Sequence, residues 1–148
     1  MKNSIVILAL ILICFGVKVM AGDESISYVK TGDKLYFGQD LKMGLFNLKI
    51  IASDGTVTKI PNRDVKAYLS NSRLFEYLPV VCEKNDTVCF AMMEYVTTKS
   101  GLNLYRYSYY DEKVPKYEYY VFKEGKFHLR IDRKNARTTL PFFGINVV

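Results

Sequence analysis

Short apolar runs separated by polar, turn-forming clusters are the first regularity in the chain. The strongest turn signals are Thr31-Gly32-Asp33, Ser53-Asp54-Gly55, Ser70-Asn71-Ser72, Lys99-Ser100-Gly101 and Glu124-Gly125, with β-branched and aromatic residues between them. Gly, Asn and Asp tolerate the backbone angles that reverse a chain, and Val, Ile, Thr, Tyr and Phe suit a pleated, half-buried surface. No amphipathic helical pattern of three or more turns interrupts this rhythm. Asn62–Leu69 is ambiguous: Val65, Tyr68 and Leu69 fit a helical turn, while Val65, Ala67 and Leu69 fit a strand. A strand, or a one-turn helix at the bend, is expected there. The pattern predicts a mainly β fold, a single antiparallel meander of about 8–10 short strands. A sheet of that size is expected to curl into a barrel-like or sandwich form that protects its faces and edges.

Turn positions also predict registers. A three-residue loop at Lys99-Ser100-Gly101 sets Val96 opposite Leu104, Tyr95 opposite Tyr105, Met93 opposite Tyr107 and Ala91 opposite Tyr109. The same register sets Glu94 opposite Arg106, an opposite-charge pair that favours it. A two-residue turn at Glu124-Gly125 pairs Phe122 with Phe127 and Tyr120 with Leu129 on a core face. It pairs Val121 with His128 and Tyr119 with Arg130 on a wet face. Between these hairpins, Tyr110–Lys116 reads as an exposed loop. The apolar tail Thr139–Val148 must dock against the sheet or meet a partner, because left bare it is an aggregation hazard.

The N-terminus changes the picture. A weakly basic start, an apolar run from Ile5 to Val17 and Val19-Met20-Ala21 read as a signal peptide over residues 1–21, with cleavage expected after Ala21; an uncleaved anchor, which Lys18 favours, is the alternative. The run is shorter than the roughly 20 residues a membrane-crossing helix needs, so no transmembrane span is expected in the mature chain. The protein is therefore expected to be exported (secreted, periplasmic or cell-surface), with residues 22–148 forming a single β-rich domain. Cleavage removes Lys2 and Lys18 and lowers the formal charge from +6 to +4.

Export places the cysteines in an oxidising compartment. A turn centred on Asn85-Asp86 brings Cys82 opposite Cys89 across neighbouring strands, close enough for a disulfide. A metal site needs more ligands, and a catalytic thiol needs a base that only His128 could supply. Asn85-Asp86-Thr87 also matches the glycosylation sequon, which matters only in a eukaryotic secretory pathway.

Little catalytic equipment is legible. The single His, His128, sits mid-strand between Phe127 and Leu129, and no nucleophile elbow, phosphate loop, zinc spacing or calcium loop is present. The expectation is a non-enzymatic protein with no metal and no cofactor. Tyrosine is the compositional oddity: Tyr105, Tyr107 and Tyr109 alternate along one strand, and Tyr117, Tyr119 and Tyr120 follow on the next. An apolar ring with a polar tip suits a binding surface, though such residues also fill the side of a small core. From Lys113 to Arg137 there are eight basic residues against three acidic ones. Outside a cell such a face points to an anionic glycan, lipid head groups or an acidic protein, not to nucleic acid; it also serves solubility.

Two functions follow. The first is an exported binding or structural module that contacts a protein or glycan, with Tyr105, Tyr107, Tyr109, Tyr117, Tyr119, His128 and Arg130 as its ligand-binding residues. The second is a small secreted hydrolase, or a carrier that holds a small ligand in a barrel cavity.

Overall fold

Two-residue reversals organise the C-terminal half of the chain. In the computed structural model, which describes residues 26–146 apart from Glu83 and Asn85, four hairpins turn on adjacent residues with positive φ. These are Asn71-Ser72 (51° and 61°), Ser100-Gly101 (52° and 75°), Glu112-Lys113 (50° and 67°) and Glu124-Gly125 (49° and 76°). Such turns match the right-handed twist of paired strands. They join β6 (Ala67–Ser70) to β7 (Arg73–Val81), and link β8 (Thr87–Lys99), β9 (Leu102–Asp111), β10 (Val114–Lys123) and β11 (Lys126–Ile131) in series. The expected signal peptide, residues 1–21, lies outside the described residues.

The N-terminal half contributes β1 (Ser27–Lys30), β2 (Leu35–Gly38), β3 (Asp40–Met43), β4 (Asn47–Ile51) and β5 (Val57–Pro61). A 3-10 turn at Asn62–Asp64 precedes β6, so the ambiguous segment is a turn and then a strand. Two antiparallel sheets result, one of eight strands in the order β11-β10-β9-β8-β7-β6-β1-β2 and one of three in the order β3-β4-β5. The mainly β, antiparallel expectation holds. A closed barrel does not form: β11 and β2 are the two ends of the larger sheet.

Three apolar clusters hold these layers together. Val29, Tyr68 and Val65 pack against Leu41, Leu48, Ile50 and Ile60 of the small sheet, which covers one end of the large one. The chain passes between the sheets at Gly38, where a Cβ would stand 2.5 Å from the Ile51 carbonyl oxygen. Val81, Met93, Tyr105, Tyr120 and Phe122 form the second cluster, with Leu78, Tyr95, Tyr107 and Phe127 around it. All of these belong to β7–β11, so the meander bends around its own side chains. The Tyr105 hydroxyl donates to Glu76, reaching past β8 to β7.

On the opposite face, α1 (Ala136–Phe142) lays Leu140 and the following Phe143 over Leu104, Val121 and Ile131. The apolar tail thus docks on the sheet, as its composition requires, and does so as a short helix.

Local registers depart from expectation in several places, and the β8–β9 ladder ends at Glu94 and Arg106, so the expected Met93–Tyr107 and Ala91–Tyr109 pairs do not form. A bulge between Val121 and Phe122 leaves His128 as the extra residue, so Phe122 still faces Phe127 while Val121 faces Leu129, Tyr120 faces Arg130 and Tyr119 faces Ile131. The bulge turns Leu129 and Ile131, in place of His128 and Arg130, toward Val121 and Tyr119, and α1 covers that face, so Val121, expected on a wet face, is fully buried. A second bulge at Val96 keeps Tyr95 opposite Tyr105 and Glu94 opposite Arg106 but sets Thr97, not Val96, opposite Leu104. The expected Tyr110–Lys116 loop is instead the tight Glu112-Lys113 turn between two long strands.

The Cys82–Cys89 disulfide is not formed; both thiols are free, Cys82 half-buried and Cys89 exposed. The β7–β8 ladder is offset by two residues from the register that a turn centred on Asn85-Asp86 dictates. Cys89 lies opposite Val80, and Cys82 falls past the last pair, its N–H donating to the Asp86 carbonyl at 3.0 Å.

Candidate functional site

β10 outruns β11. The ladder between them ends at Tyr119 and Ile131, so Val114–Glu118 have β9 on one side and no strand on the other among the described residues. Past Ile131 the chain is folded sharply by Asp132 and Asn135. The Asp132 carboxylate accepts the backbone N–H groups of Lys134 (2.7 Å) and Asn135 (3.1 Å), and the Asn135 side chain accepts the Asp132 N–H at 2.9 Å. Aspartate and asparagine at these positions satisfy amides that a sheet ladder no longer can. Asn135 Nδ2 also donates to the Arg130 carbonyl at 3.0 Å, which ties the bend to the end of β11.

Between this bend and the overhanging part of β10 lies an open cleft of about 830 Å³. It wraps the strand edge and takes side chains from both faces. Tyr117 and Tyr119 point to the side covered by α1; Tyr109, Lys116, Glu118 and Arg130 belong to the other. Arg133 and Lys134 form the outer wall.

Glu118 organises one wall. Its carboxylate accepts from the Tyr120 hydroxyl (2.6 Å), the Tyr109 hydroxyl (3.2 Å) and Arg130 Nη2 (2.8 Å). Burial first, and the Glu118 carboxylate second, push the Tyr120 phenol well above its usual range. Burial and then Glu118 raise Tyr109 as well. Both phenols are hydrogen-bond donors at neutral pH, unsuited to act as tyrosinate nucleophiles. Lys116 pairs with Asp111 on the same side, and that hydrogen bond raises the ammonium pKa.

The acids of the cleft are thus occupied within the protein: Glu118 by two phenols and a guanidinium, Asp132 by backbone amides. Lys116, Arg130, Arg133 and Lys134 leave it positive. Arg133 and Lys134 are exposed to solvent.

Next to the cleft, on the α1 side, Arg106 stacks over the Tyr117 ring at 5.2 Å and clamps Glu94 through Nη2 (2.5 Å) and Nε (3.1 Å). Arg73 closes on the same carboxylate from β7 with Nε at 2.7 Å and Nη2 at 2.8 Å. The Arg73 hydrogen bonds, and then those of Arg106, hold the Glu94 carboxyl below its ordinary value against the opposing effect of burial. Glu94 and Arg106 form the last pair of the β8–β9 ladder, so this clamp joins three strands where pairing stops.

Of the seven ligand-binding residues expected from sequence, the fold brings Tyr109, Tyr117, Tyr119 and Arg130 to one cleft. Tyr107 stacks on Tyr109 with ring centroids 5.4 Å apart. Tyr105 is buried in the core, its phenol pushed up by burial and by Glu76. His128 is exposed at the β10–β11 bulge and does not line the cleft. Sequence reasoning missed Glu118, whose signal is its place as the lone acid between Tyr117 and Tyr119. It missed Arg73 for want of any local signal. Among the described residues, no three His, Cys, Asp or Glu side chains converge to hold a metal, and no helix is long and apolar enough to cross a membrane.

No family model, curated protein or solved structure matches the chain.

Proposed function

We propose that the protein is an exported, non-enzymatic binding module that takes an acidic glycan in the cleft at the free end of β10. The observation that carries this reading is the division of labour among the charged groups. Both acids of the cleft are engaged internally, Glu118 with Arg130 and Asp132 with backbone amides, whereas the exposed Arg133 and Lys134 and the rings of Tyr117 and Tyr119 border the opening. Ring faces stack on the apolar side of a sugar, and guanidinium and ammonium groups receive carboxylate or sulfate. The raised phenols of Tyr109 and Tyr120 give Glu118 fixed donors, which keeps that wall rigid without providing an acid or base for catalysis.

The hydrolase or carrier reading places its ligand inside a barrel, and the open eight-stranded sheet gives it no support. The test is a panel of neutral and acidic polysaccharides titrated against the domain at two salt concentrations. Acidic chains should bind, more weakly at high salt, and Tyr117→Ala and Lys134→Glu should each weaken the complex. Equal binding to neutral chains, or none to any acidic one, would remove the proposal.

A further inference from the structure

A second surface, on the small sheet, has a different design. The β3–β4 hairpin ends in Met43-Gly44-Leu45-Phe46, and its apolar side chains face solvent: Leu45 is 91% exposed, Phe46 81% and Met43 65%. This tip is held in shape from outside the hairpin. Asn62 Nδ2 donates to the Gly44 and Leu45 carbonyls, both at 3.0 Å, and the Asn62 N–H donates to the Phe46 carbonyl at 3.0 Å. Gly44 N–H closes the loop on the Asn47 carbonyl at 3.0 Å. Four hydrogen bonds therefore fix a loop whose large side chains contribute nothing to the core.

Behind the tip stands a row of cations. Lys42 lies opposite Lys49, and Lys49 lies opposite Lys59, so three lysines run across the outer face of β3, β4 and β5. Like charges directly opposite one another destabilise a sheet. The inner face of the same strands carries Leu41, Leu48, Ile50 and Ile60 into the core, so the lysines have no alternative orientation. The nearest acid on that face is Asp40, 4.0 Å from Lys42 with both side chains more than half exposed. Arg63, beside the latching Asn62, adds a further cation, 3.7 Å from Asp64 and 88% exposed.

We propose that this hairpin docks on an anionic phospholipid surface, with Leu45 and Phe46 inserted at the acyl boundary and the Lys42–Lys49–Lys59 row at the phosphates. The spacing fits. Phe46 lies in the bend just before β4 and Lys49 is the third residue of that strand, so the ring and the ammonium row are separated by at most about 10 Å along the chain. Interfacial segments sink their apolar side roughly 5–10 Å below the head groups. A fixed tip also loses little conformational entropy on insertion. A neutral apolar partner would have no use for the lysine row, and a soluble polyanion none for the tip. The two features together select a charged lipid surface.

The test is vesicle flotation with the domain from Gly22 onward, using phosphatidylcholine alone and with roughly a third phosphatidylglycerol. The wild-type chain should float with the anionic vesicles and lose most of that binding at high salt. Leu45→Ser with Phe46→Ser should weaken it at least tenfold. Lys→Gln at 42, 49 and 59 should weaken it by roughly fivefold per residue. Every altered side chain is exposed, so melting temperatures should match wild type and a folding defect would be visible separately. The chain has no Trp, so Phe46→Trp creates a single reporter whose emission should shift to the blue on anionic vesicles alone. Failure to float, or flotation that survives the Leu45/Phe46 change, overturns the proposal; the latter would move the contact to the basic cleft of β10. A dimer that the tip changes render monomeric, without vesicle binding, would make the hairpin a self-association surface and also overturn it.

Discussion

Replacing Glu94 by Gln preserves the shape of the side chain and removes the charge that two guanidiniums share. The Glu94 side chain is 12% exposed, that of Arg106 33% and that of Arg73 54%. Hydrogen bonds to charged groups contribute about 1.5–3 kcal/mol when shielded from water. Exposed ion pairs contribute about 0–1 kcal/mol. Arg106 belongs nearer the first case and Arg73 to the second, so the change should cost about 2 kcal/mol at neutral pH. In a chain of this size that lowers the melting temperature by about 6 °C.

The pH dependence has a definite sign. Arg73, and then Arg106, depress the Glu94 pKa in the folded state. Its contribution is therefore complete above the unfolded carboxyl value of 4.5 and is lost as pH falls through the lower, folded value. Thermal unfolding of both proteins by circular dichroism, from neutral to acidic pH, measures this. The gap between them should be constant above pH 4.5 and should close below it. A gap under about 0.5 kcal/mol at neutral pH, or one that persists unchanged in acid, would refute the clamp as a source of stability.

Other substitutions test the remaining joints. Glu112 and Lys113 both adopt left-handed angles, φ 50° and 67°, that Asn and Gly hold with less strain; Glu112→Asn with Lys113→Gly should raise stability by about 1 kcal/mol in a denaturant titration. Gly38→Ala should destabilise by about 2–3 kcal/mol in the same assay, because the new methyl would meet the Ile51 carbonyl at 2.5 Å and Ile50 Cγ1 at 2.7 Å. Leu140→Ala should cost about 2–3 kcal/mol by emptying the contact of α1 with Val121 and Leu104. The same change should speed amide exchange along β11. Tyr120→Phe should cost about 1 kcal/mol by removing the buried hydroxyl that donates to Glu118 at 2.6 Å.

The turns explain what could be read from sequence and what could not. Ser100-Gly101 and Glu124-Gly125 carry glycine where φ is positive, and the hairpins they close were legible, with Glu94 opposite Arg106 and Phe122 opposite Phe127. Glu112-Lys113 makes the same turn without glycine; nothing in its residues distinguishes it from a loop, so the tyrosine strands were expected to end too early. Bulges were invisible, since one unpaired residue such as His128 leaves the apolar alternation intact while it rotates everything beyond it. Here it turns Leu129 and Ile131 toward Val121 and Tyr119 in place of His128 and Arg130.

The cleft was half legible. The tyrosine stripe and the basic run lie on strands that border it. Its position depends on β11 ending before β10, and on an Asp132–Asn135 bend whose meaning depends on the sheet already being there. The lysine row escaped notice because Lys42, Lys49 and Lys59 become neighbours only through strand pairing.

The proposed seat of an acidic glycan at the free end of β10 can be measured directly. Isothermal titration of the domain with an acidic oligosaccharide, for the wild type and for Tyr117→Ala, addresses it most directly. Saturable binding with a negative heat-capacity change is expected, weakened by added salt and by loss of the Tyr117 ring, in a variant that melts like the parent. Binding unchanged by Tyr117→Ala and by salt would contradict it.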